Sequence, residues 1–308
     1  METLYQILSP EFLLRNSVYT SVLIGLSCPL VGVFLVLRRL VFMGVALPQV
    51  SSTGVAIALS LPLWLGIHLD AHDSHTGHLL AFAGSMVITI TAILLLAFLE
   101  RRGRGVPEGR LGVVYVVSSA LSILILAKNP YGEIGWLDLL KGEVITISNF
   151  DLVLTAAALA VVVVSLALFH KELLFVSFDR EMAVTLGKKV VVWDMFLYLL
   201  IGLTVSMAVL SVGPLIAFGF LLIPALTAHL FCRTMQQFTV MASLIGGTVA
   251  LAGFWIAYRR DLPVGPTDVV LLGLVYAGGW VVARLLPAGA GRRQRHVAAA
   301  PARDGKLG

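Results

Sequence analysis

Long apolar stretches alternate with short polar segments along almost the whole chain. Each stretch is close to the roughly 20 residues that a helix needs to cross a bilayer. The pattern predicts nine membrane-spanning helices, at about Ser17–Val36, Ala46–Leu65, Leu79–Phe98, Leu111–Leu126, Leu152–Phe169, Val190–Leu210, Val212–Phe231, Val240–Ala257 and Val269–Leu286. The fourth stretch is short and the seventh holds two prolines, so eight spans also fit. The predicted fold class is an all-α polytopic membrane protein.

The composition supports this interpretation. Of 308 residues, 58% are hydrophobic and 13% are charged, whereas soluble domains have about 45–50% and 25%. A large soluble catalytic domain is excluded, because the remaining loops are too short to fold alone. We expect residues 1–286 to form the membrane domain and residues 287–308 to be a flexible cytoplasmic tail. Cys28 and Cys232 are too few for a disulfide framework and are predicted to be buried in the membrane.

The basic residues predict the orientation, because short loops rich in Lys and Arg stay in the cytoplasm. With the N-terminus outside, 17 of the 22 Lys and Arg residues lie in inside loops or in the tail. The opposite orientation reverses this ratio. The sequence therefore predicts an outside N-terminus and an inside C-terminus, which requires an odd number of spans.

Polar residues within the apolar stretches are candidates for function, because ionisable groups in lipid are expensive. Asp194 and Asp268 lie near predicted helix ends, where capping or snorkelling carboxylates are the commoner explanation. The second stretch contains Gln49, Ser51 and Ser52 close to Met43. These residues fit either ordinary helix packing or a polar substrate pathway.

The segment after the second stretch reads GIHLDAHDSHTGHLL and is rich in potential metal ligands. Imidazole and carboxylate groups bind zinc and neighbouring metals, so we predict an external metal site there. Its candidate ligands are His68, Asp70, His72, Asp73, His75 and His78. A polar linker between two spans is the alternative, since the spacing matches no closed structural zinc motif.

The seventh stretch is interrupted by residues that break helices. Gly213, Pro214 and Pro224 are predicted to form a broken span of the kind that a moving gate uses, although proline-kinked helices also simply pack. In the last stretch, Gly273 and Ala277 form a small-residue face suited to helix packing.

A short cytoplasmic helix is predicted between the fifth and sixth stretches, over Asp179 to Leu186. Asp179 is its expected N-cap and Gly187 its C-terminal stop. Its candidate docking residues for a soluble partner are Asp179, Arg180, Glu181, Met182, Leu186 and Gly187. The alternative is an interfacial helix that lies on lipid.

The sequence contains no P-loop motif and no nucleophile–base pair of a known hydrolase pattern. We therefore expect the chain to have no nucleotide site and no catalytic residues of its own.

Three segments together resemble the permease family of zinc- and manganese-importing ABC transporters, over about Asn16 to Leu286. They are LVGVFLVLRRLVFMGVALPQVSSTGVAIAL, LLFVSFDREMAVTLG and LSVGPLIAFGFLLIPALTA. The resemblance implies a type II importer-like permease, usually a homodimer, that pairs with cytoplasmic ATPase subunits in a bacterial inner membrane. It also implies an extracytoplasmic binding protein that delivers a divalent metal, zinc first and manganese second, with no permanently bound cofactor. The helix at Asp179 to Leu186 then corresponds to the coupling helix, although Arg180 replaces a frequent proline.

One departure from the family concerns the pathway. The family usually has M-G-D-A-L-S-H-A after the double arginine, with Asp and His as apparent metal contacts. Here Val45 and Gln49 stand at those two places and Pro48 replaces the serine. Valine offers no metal ligand. Either the metal passes with only Met43, Gln49, Ser51 and Ser52 nearby, or its selection has moved to the histidine-rich segment, or the cargo is a different species such as a chelated metal. From another class, a non-transporting membrane scaffold or sensor is the alternative.

Overall fold

The computed structural model describes residues 14–64, 74–101, 107–128 and 147–285, and all regular elements within them are α-helices. We number the helices α1 (Arg15–Leu37), α2 (Val41–Trp64), α3 (Ser74–Arg101), α4 (Pro107–Ala127), α5 (Asn149–Leu168), α6 (His170–Phe178), α7 (Arg180–Thr185), α8 (Val190–Val212), α9 (Pro214–His229), α10 (Met235–Arg260) and α11 (Val264–Leu285).

Eight of these helices are long and apolar enough to cross a membrane. The seventh predicted stretch is α9, which has 16 residues. At a rise of 1.5 Å per residue it is about 24 Å long, slightly shorter than the bilayer core. The prediction of eight to nine membrane helices is thus confirmed, and α6 and α7 form the additional segment between the fifth and sixth of them.

The helices α1 and α10 pack at very short distance because both carry glycine where they meet. A Cβ atom placed on Gly25 would lie 2.7 Å from the carbonyl oxygen of Gly246. The two helices are antiparallel, since Val18 near one end packs with Phe254 and Val33 near the other lies in one cluster with Phe238. Small residues permit such close backbone contact in membranes, where dispersion forces replace the hydrophobic effect.

Further contacts give the relative directions of α9, α10 and α11 and of α5 and α8. Helix α11 lies antiparallel to α10, because Gly253 near the end of α10 lies against Asp268 near the start of α11. Helix α9 runs parallel to α11, because Gly219 lies near Val269 and Thr227 lies near Gly279. On the other side of the bundle, Thr155 of α5 bonds to Ser211 of α8, so the start of α5 meets the end of α8. With the shorter α9, the described residues contain nine apolar helices of the bundle.

Helices α1, α2 and α8 form the centre of the bundle together with α9. About two thirds of the most apolar window of α1 is buried (67%), against 11% in α4 and in α11. The exposed faces of α4 and α11 are apolar, as expected of surfaces that contact lipid or another membrane helix.

Most of the basic residues that flank the described helices lie at one end of the bundle, which we call the basic end. It contains the α1–α2 turn, helix α7 and the start of α8. Described residues there include Arg38, Arg39, Lys171, Lys188, Lys189, Arg233 and Arg284. The Cζ atom of Arg284 lies 3.8 Å from the centroid of the Trp280 ring. Such a stack of a cation on an aromatic ring is typical of a membrane interface.

Candidate functional site

Helix α7 lies at the basic end and has the boundaries that the sequence predicts. Asp179 Oδ1 accepts a hydrogen bond from the Met182 backbone N–H at 2.9 Å, so Asp179 is the N-cap. Gly187 follows the helix with a φ of 71°, a conformation that glycine adopts without strain. The predicted short helix is confirmed, whereas its role in docking remains a prediction.

The outer surface of α7 is apolar and exposed. The exposed fractions are 54% for Met182, 59% for Val184 and 62% for Leu186. Ala183 faces inward and packs against Val176 of α6 and Val190 of α8. The helix is therefore anchored by one small residue and presents larger apolar side chains away from the bundle. Glu181 and Gly187, two of the other candidate docking residues, are exposed as well.

Phe169, the N-cap residue of α6, joins α8 in an aromatic cluster with Trp193 and Phe196. The Phe169 ring lies 5.5 Å from the Trp193 ring and 5.3 Å from the Phe196 ring, measured between centroids. Tilted and edge-on aromatic pairs of this kind favour one relative orientation of the helices. The two segments that flank α7 are thus fixed to each other.

Asp194 does not snorkel or cap a helix, contrary to the explanation that the sequence favoured. Its side chain is 6% exposed and forms an ion pair with Arg38 Nη1 at 2.7 Å. Arg38 Nε also donates to Ser177 Oγ at 2.9 Å. The sequence did not predict this ion pair, because nothing local to Arg38 indicates a partner 156 positions away.

Asp268 is buried rather than placed at a wet interface, being 1% exposed. Its Oδ1 has no hydrogen-bond partner among the described residues. The carboxylate lies directly against Gly253 of α10, where any side chain would collide with it. The expectation of a snorkelling carboxylate is therefore wrong here too, because α10 and α11 close around the side chain.

The candidate pathway residues of α2 do not share one face. Met43 is 4% exposed and borders a cavity of about 50 Å³ near the basic end. Gln49 and Ser52 lie on the opposite side of the helix, on the same face as Val45. Gln49 and Val45 are partly exposed, whereas Ser52 is buried.

Ser51 holds α2 against its neighbour. Its hydroxyl lies 2.7 Å from the hydroxyl of Ser85 on α3, and both side chains are fully buried. The neighbouring Thr53 donates to the Ser118 carbonyl of α4 at 2.8 Å. These bonds favour packing for Ser51, and the pathway role of the four candidates remains a prediction.

The break in the seventh stretch falls at its beginning. Gly213 has a φ of 82° and joins the end of α8 directly to α9. Pro214 occupies the first position of α9, where a missing N–H costs no helical bond. Only Pro224 lies inside α9, and all three residues are buried. The break is a sharp reversal between two helices, and no structural observation tests the predicted gate.

Most of the predicted external metal site lies outside what the structure describes. This applies to His68, Asp70, His72, Asp73 and the side chain of His75. His78 is described, and its Nδ1 lies 3.2 Å from Asp151 Oδ1, which joins α3 to α5. Within the described part of the chain, no three potential ligands converge on one point.

Two smaller predictions concern single positions. Cys28 is buried in α1 as expected, but Cys232 lies between α9 and α10 and is partly exposed. Partial burial raises the pKa of the Cys232 thiol. On α11, the predicted packing face at Gly273 and Ala277 is not covered by the described chain, since no described atom lies within 4 Å of a Cβ placed at Gly273.

The family model described as the ABC 3 transport family matches residues 10–283. This chain belongs to that family. The resemblance inferred from the sequence motifs is confirmed, and the match covers the membrane helices and the segment that contains α7.

Individual relatives cover most of the chain. A manganese transport system membrane protein of Listeria monocytogenes is 28% identical over 263 residues, which are 85% of this chain and 88% of that protein. A probable iron transport system membrane protein of Haemophilus influenzae is 24% identical and covers 90% of this chain and 92% of its own length.

The fold is also that of a solved structure. PsaBC from Streptococcus pneumoniae, determined in complex with Fab, superposes with a TM-score of 0.75 and 23% identity, covering 90% of this chain and 94% of the other. The multi-pass membrane architecture and the all-α fold are thereby established.

Proposed function

We propose that this chain is the permease subunit of a bacterial inner-membrane ABC importer for a divalent transition metal. The observation that carries the proposal is the family match over residues 10–283. The names of its relatives favour manganese as the first cargo to test, ahead of the zinc that the sequence motifs placed first.

The orientation proposed is N-terminus outside and C-terminus inside. It is supported by the excess of Lys and Arg at the basic end, which the positive-inside rule assigns to the cytoplasm. Helix α7 would then lie in the cytoplasm, where its exposed Met182 and Leu186 can enter an apolar groove on a partner.

The partner at α7 is proposed to be an ATPase subunit. The absence of a P-loop from the sequence supports a second protein as the source of the energy for import. We further propose that two copies of the chain assemble as a homodimer and that an extracytoplasmic binding protein delivers the cargo to the opposite end of the bundle. No resident cofactor is proposed, because the metal is the cargo.

A second candidate cargo is a chelated metal, and Val45 and Gln49 favour it. These residues lie on one partly exposed face of α2, at the places where the family motif has Asp and His. Without carboxylate or imidazole there, the face offers no strong ligand to a bare cation. A cargo that brings its own ligands would not need them.

The experiment that separates the two cargoes is uptake into vesicles that contain this chain with its ATPase and binding protein. Radiolabelled Mn²⁺ is supplied either free or fully chelated, with ATP. Accumulation of free Mn²⁺ supports the primary proposal, and accumulation only of the chelate supports the second. In the latter case, the double substitution Val45→Asp and Gln49→His is expected to create transport of free Mn²⁺. Zn²⁺ and iron are supplied in the same two forms in parallel assays, and failure to accumulate any of the three metals in either form would contradict both proposals.

A further inference from the structure

Arg38 connects three segments that are distant in sequence. It lies directly after α1, whereas Ser177 is in the last turn of α6 and Asp194 is near the start of α8. The Arg38 guanidinium contacts both, with Nη1 at 2.7 Å from Asp194 Oδ1 and Nε at 2.9 Å from Ser177 Oγ. Ser177 Oγ in turn donates to the Leu173 carbonyl at 2.6 Å.

The two partners of Arg38 flank helix α7 on either side. Ser177 comes two residues before Asp179, the N-cap of α7, and Asp194 follows five residues after Lys189. A displacement of α7 therefore moves the two groups that hold the guanidinium. Since the aromatic cluster of Phe169, Trp193 and Phe196 joins the same two segments, they are expected to move together.

On its other side, Arg38 is attached to the start of α2. Only Arg39 and Leu40 separate it from that helix, and Arg39 has a φ of 58°, a left-handed conformation that few non-glycine residues adopt. The turn is closed by a bond from the Leu40 N–H to the Leu35 carbonyl at 2.8 Å. So short a turn transmits a shift of the guanidinium to the first turns of α2, which carry Val45.

The ion pair between Arg38 and Asp194 is largely shielded from solvent. The side chains of Arg38 and Asp194 are 10% and 6% exposed. A buried ion pair is often no more stabilising than apolar residues of the same size, so its presence calls for another role. In addition, Arg38 Nη2 is buried with no hydrogen-bond partner among the described residues. Its N–H groups are therefore able to donate a new hydrogen bond when the neighbouring segments shift.

We propose that Arg38 is a positioning residue that transmits movement of α7 to α2 through its bonds to Ser177 and Asp194. The inference rests on the proposed function, because it requires an ATPase that moves α7. It extends that function by naming the connection between the docking helix and the helix that carries the candidate pathway.

The test uses the complete complex of this chain and its ATPase in lipid nanodiscs. Cys28 and Cys232 are replaced by serine, and Val45→Cys serves as a reporter whose alkylation rate is measured with and without ATP. With Arg38 intact, ATP is expected to change this rate by at least about fivefold, the lower end of typical coupling between sites. The same measurement is then made with Arg38→Met combined with Asp194→Leu, which removes the ion pair and retains apolar volume.

The double variant is expected to bind the ATPase at the unaltered ratio while the alkylation rate no longer responds to ATP. Arg39→Met, the same change at the exposed neighbour, is the matched control and should retain the full response. Three results would overturn the proposal: an intact response in the double variant, loss of ATPase binding in that variant, or no response in the unaltered complex. If the double variant cannot be purified, Arg38→Lys decides by the same criteria, because lysine cannot bond to both partners with a planar fork.

Metal uptake by the unaltered complex is measured in parallel. An unaltered complex that imports no metal but retains the Arg38-dependent response to ATP would contradict the proposed cargo and support the inference. Import of metal by a complex whose response to ATP does not depend on Arg38 would support the proposed cargo and contradict the inference.

Discussion

At the scale of single residues, the bundle depends on positions where the backbones of two helices meet without side chains between them. Gly32 of α1 is the tightest case, since a Cβ placed there would overlap the Leu221 carbonyl oxygen of α9. The Leu221 oxygen belongs to the backbone and cannot rotate away as a side chain could. The clash could therefore be relieved only by separating the two helices.

Gly32→Ala is therefore expected to destabilise the folded protein by about 1–3 kcal/mol, the usual cost of overpacking. The measurement is the temperature of unfolding in detergent. Gly112→Ala in α4 is the matched control, because no described atom lies within 4 Å of a Cβ at that position. An equal loss of stability in both variants would contradict the packing described for α1 and α9.

A second residue-scale prediction concerns Cys232, whose thiol pKa is raised by partial burial. The thiolate is the form that reacts with maleimides, so a raised pKa lowers its fraction at pH 7. At pH 7, the labelling rate of Cys232 should be lower than that of free cysteine. As the pH is raised, the rate for Cys232 should still increase at a pH where the rate for free cysteine no longer changes. Cys232→Ser should abolish the labelling. A rate that levels off at or below the pH found for free cysteine would show that the thiol is not perturbed in this way.

At the scale of elements, helix α7 shows which features the sequence is able to predict. Asp179 and Gly187 act on backbone groups within a few residues of themselves, so local rules locate both ends of the helix. The ion pair between Arg38 and Asp194 joins segments 156 residues apart. Hydrophobic periodicity contains no information about such a pair, and it was missed for that reason.

The exposed apolar surface of α7 leads to a third prediction. Met182→Glu combined with Leu186→Glu should weaken binding of the ATPase at least about tenfold, because charges are placed in a contact that excludes water. Binding is measured by co-purification and by titration in nanodiscs. Leu262→Glu makes the same kind of change at the opposite end of the bundle, where the side chain is 50% exposed, and should leave binding intact. Equal binding by all variants would show that α7 is not the docking helix.

At the scale of the whole molecule, the alternation of apolar and polar segments was sufficient to predict eight to nine membrane helices, although not the separate helix α6. It was less informative about α9, where a reversal at Gly213 and a short helix replace the expected broken span. Burial of Asp194 and Asp268 also depends on how the helices assemble. The side of a helix that faces its neighbours cannot be determined from a stretch that is apolar on all sides.

The orientation of the molecule gives a fourth prediction. In a chain without Cys28 and Cys232, Leu262→Cys should react with a membrane-impermeant maleimide added to intact spheroplasts. Lys188→Cys, next to α7, should react only after the membrane is permeabilised. Both positions are exposed, so accessibility within the fold does not limit either reaction. The opposite labelling pattern would place α7 outside and would contradict the proposed orientation.

The most direct test of the central claim is ATP-driven metal accumulation in proteoliposomes that contain this chain, its ATPase and its binding protein. Radiolabelled Mn²⁺ and its chelate are supplied on the side of the binding protein, and ATP on the side of α7. We predict accumulation against a gradient that stops when the P-loop lysine of the ATPase is replaced. Accumulation that continues with the inactive ATPase, or none of any metal species with the active one, would contradict the account.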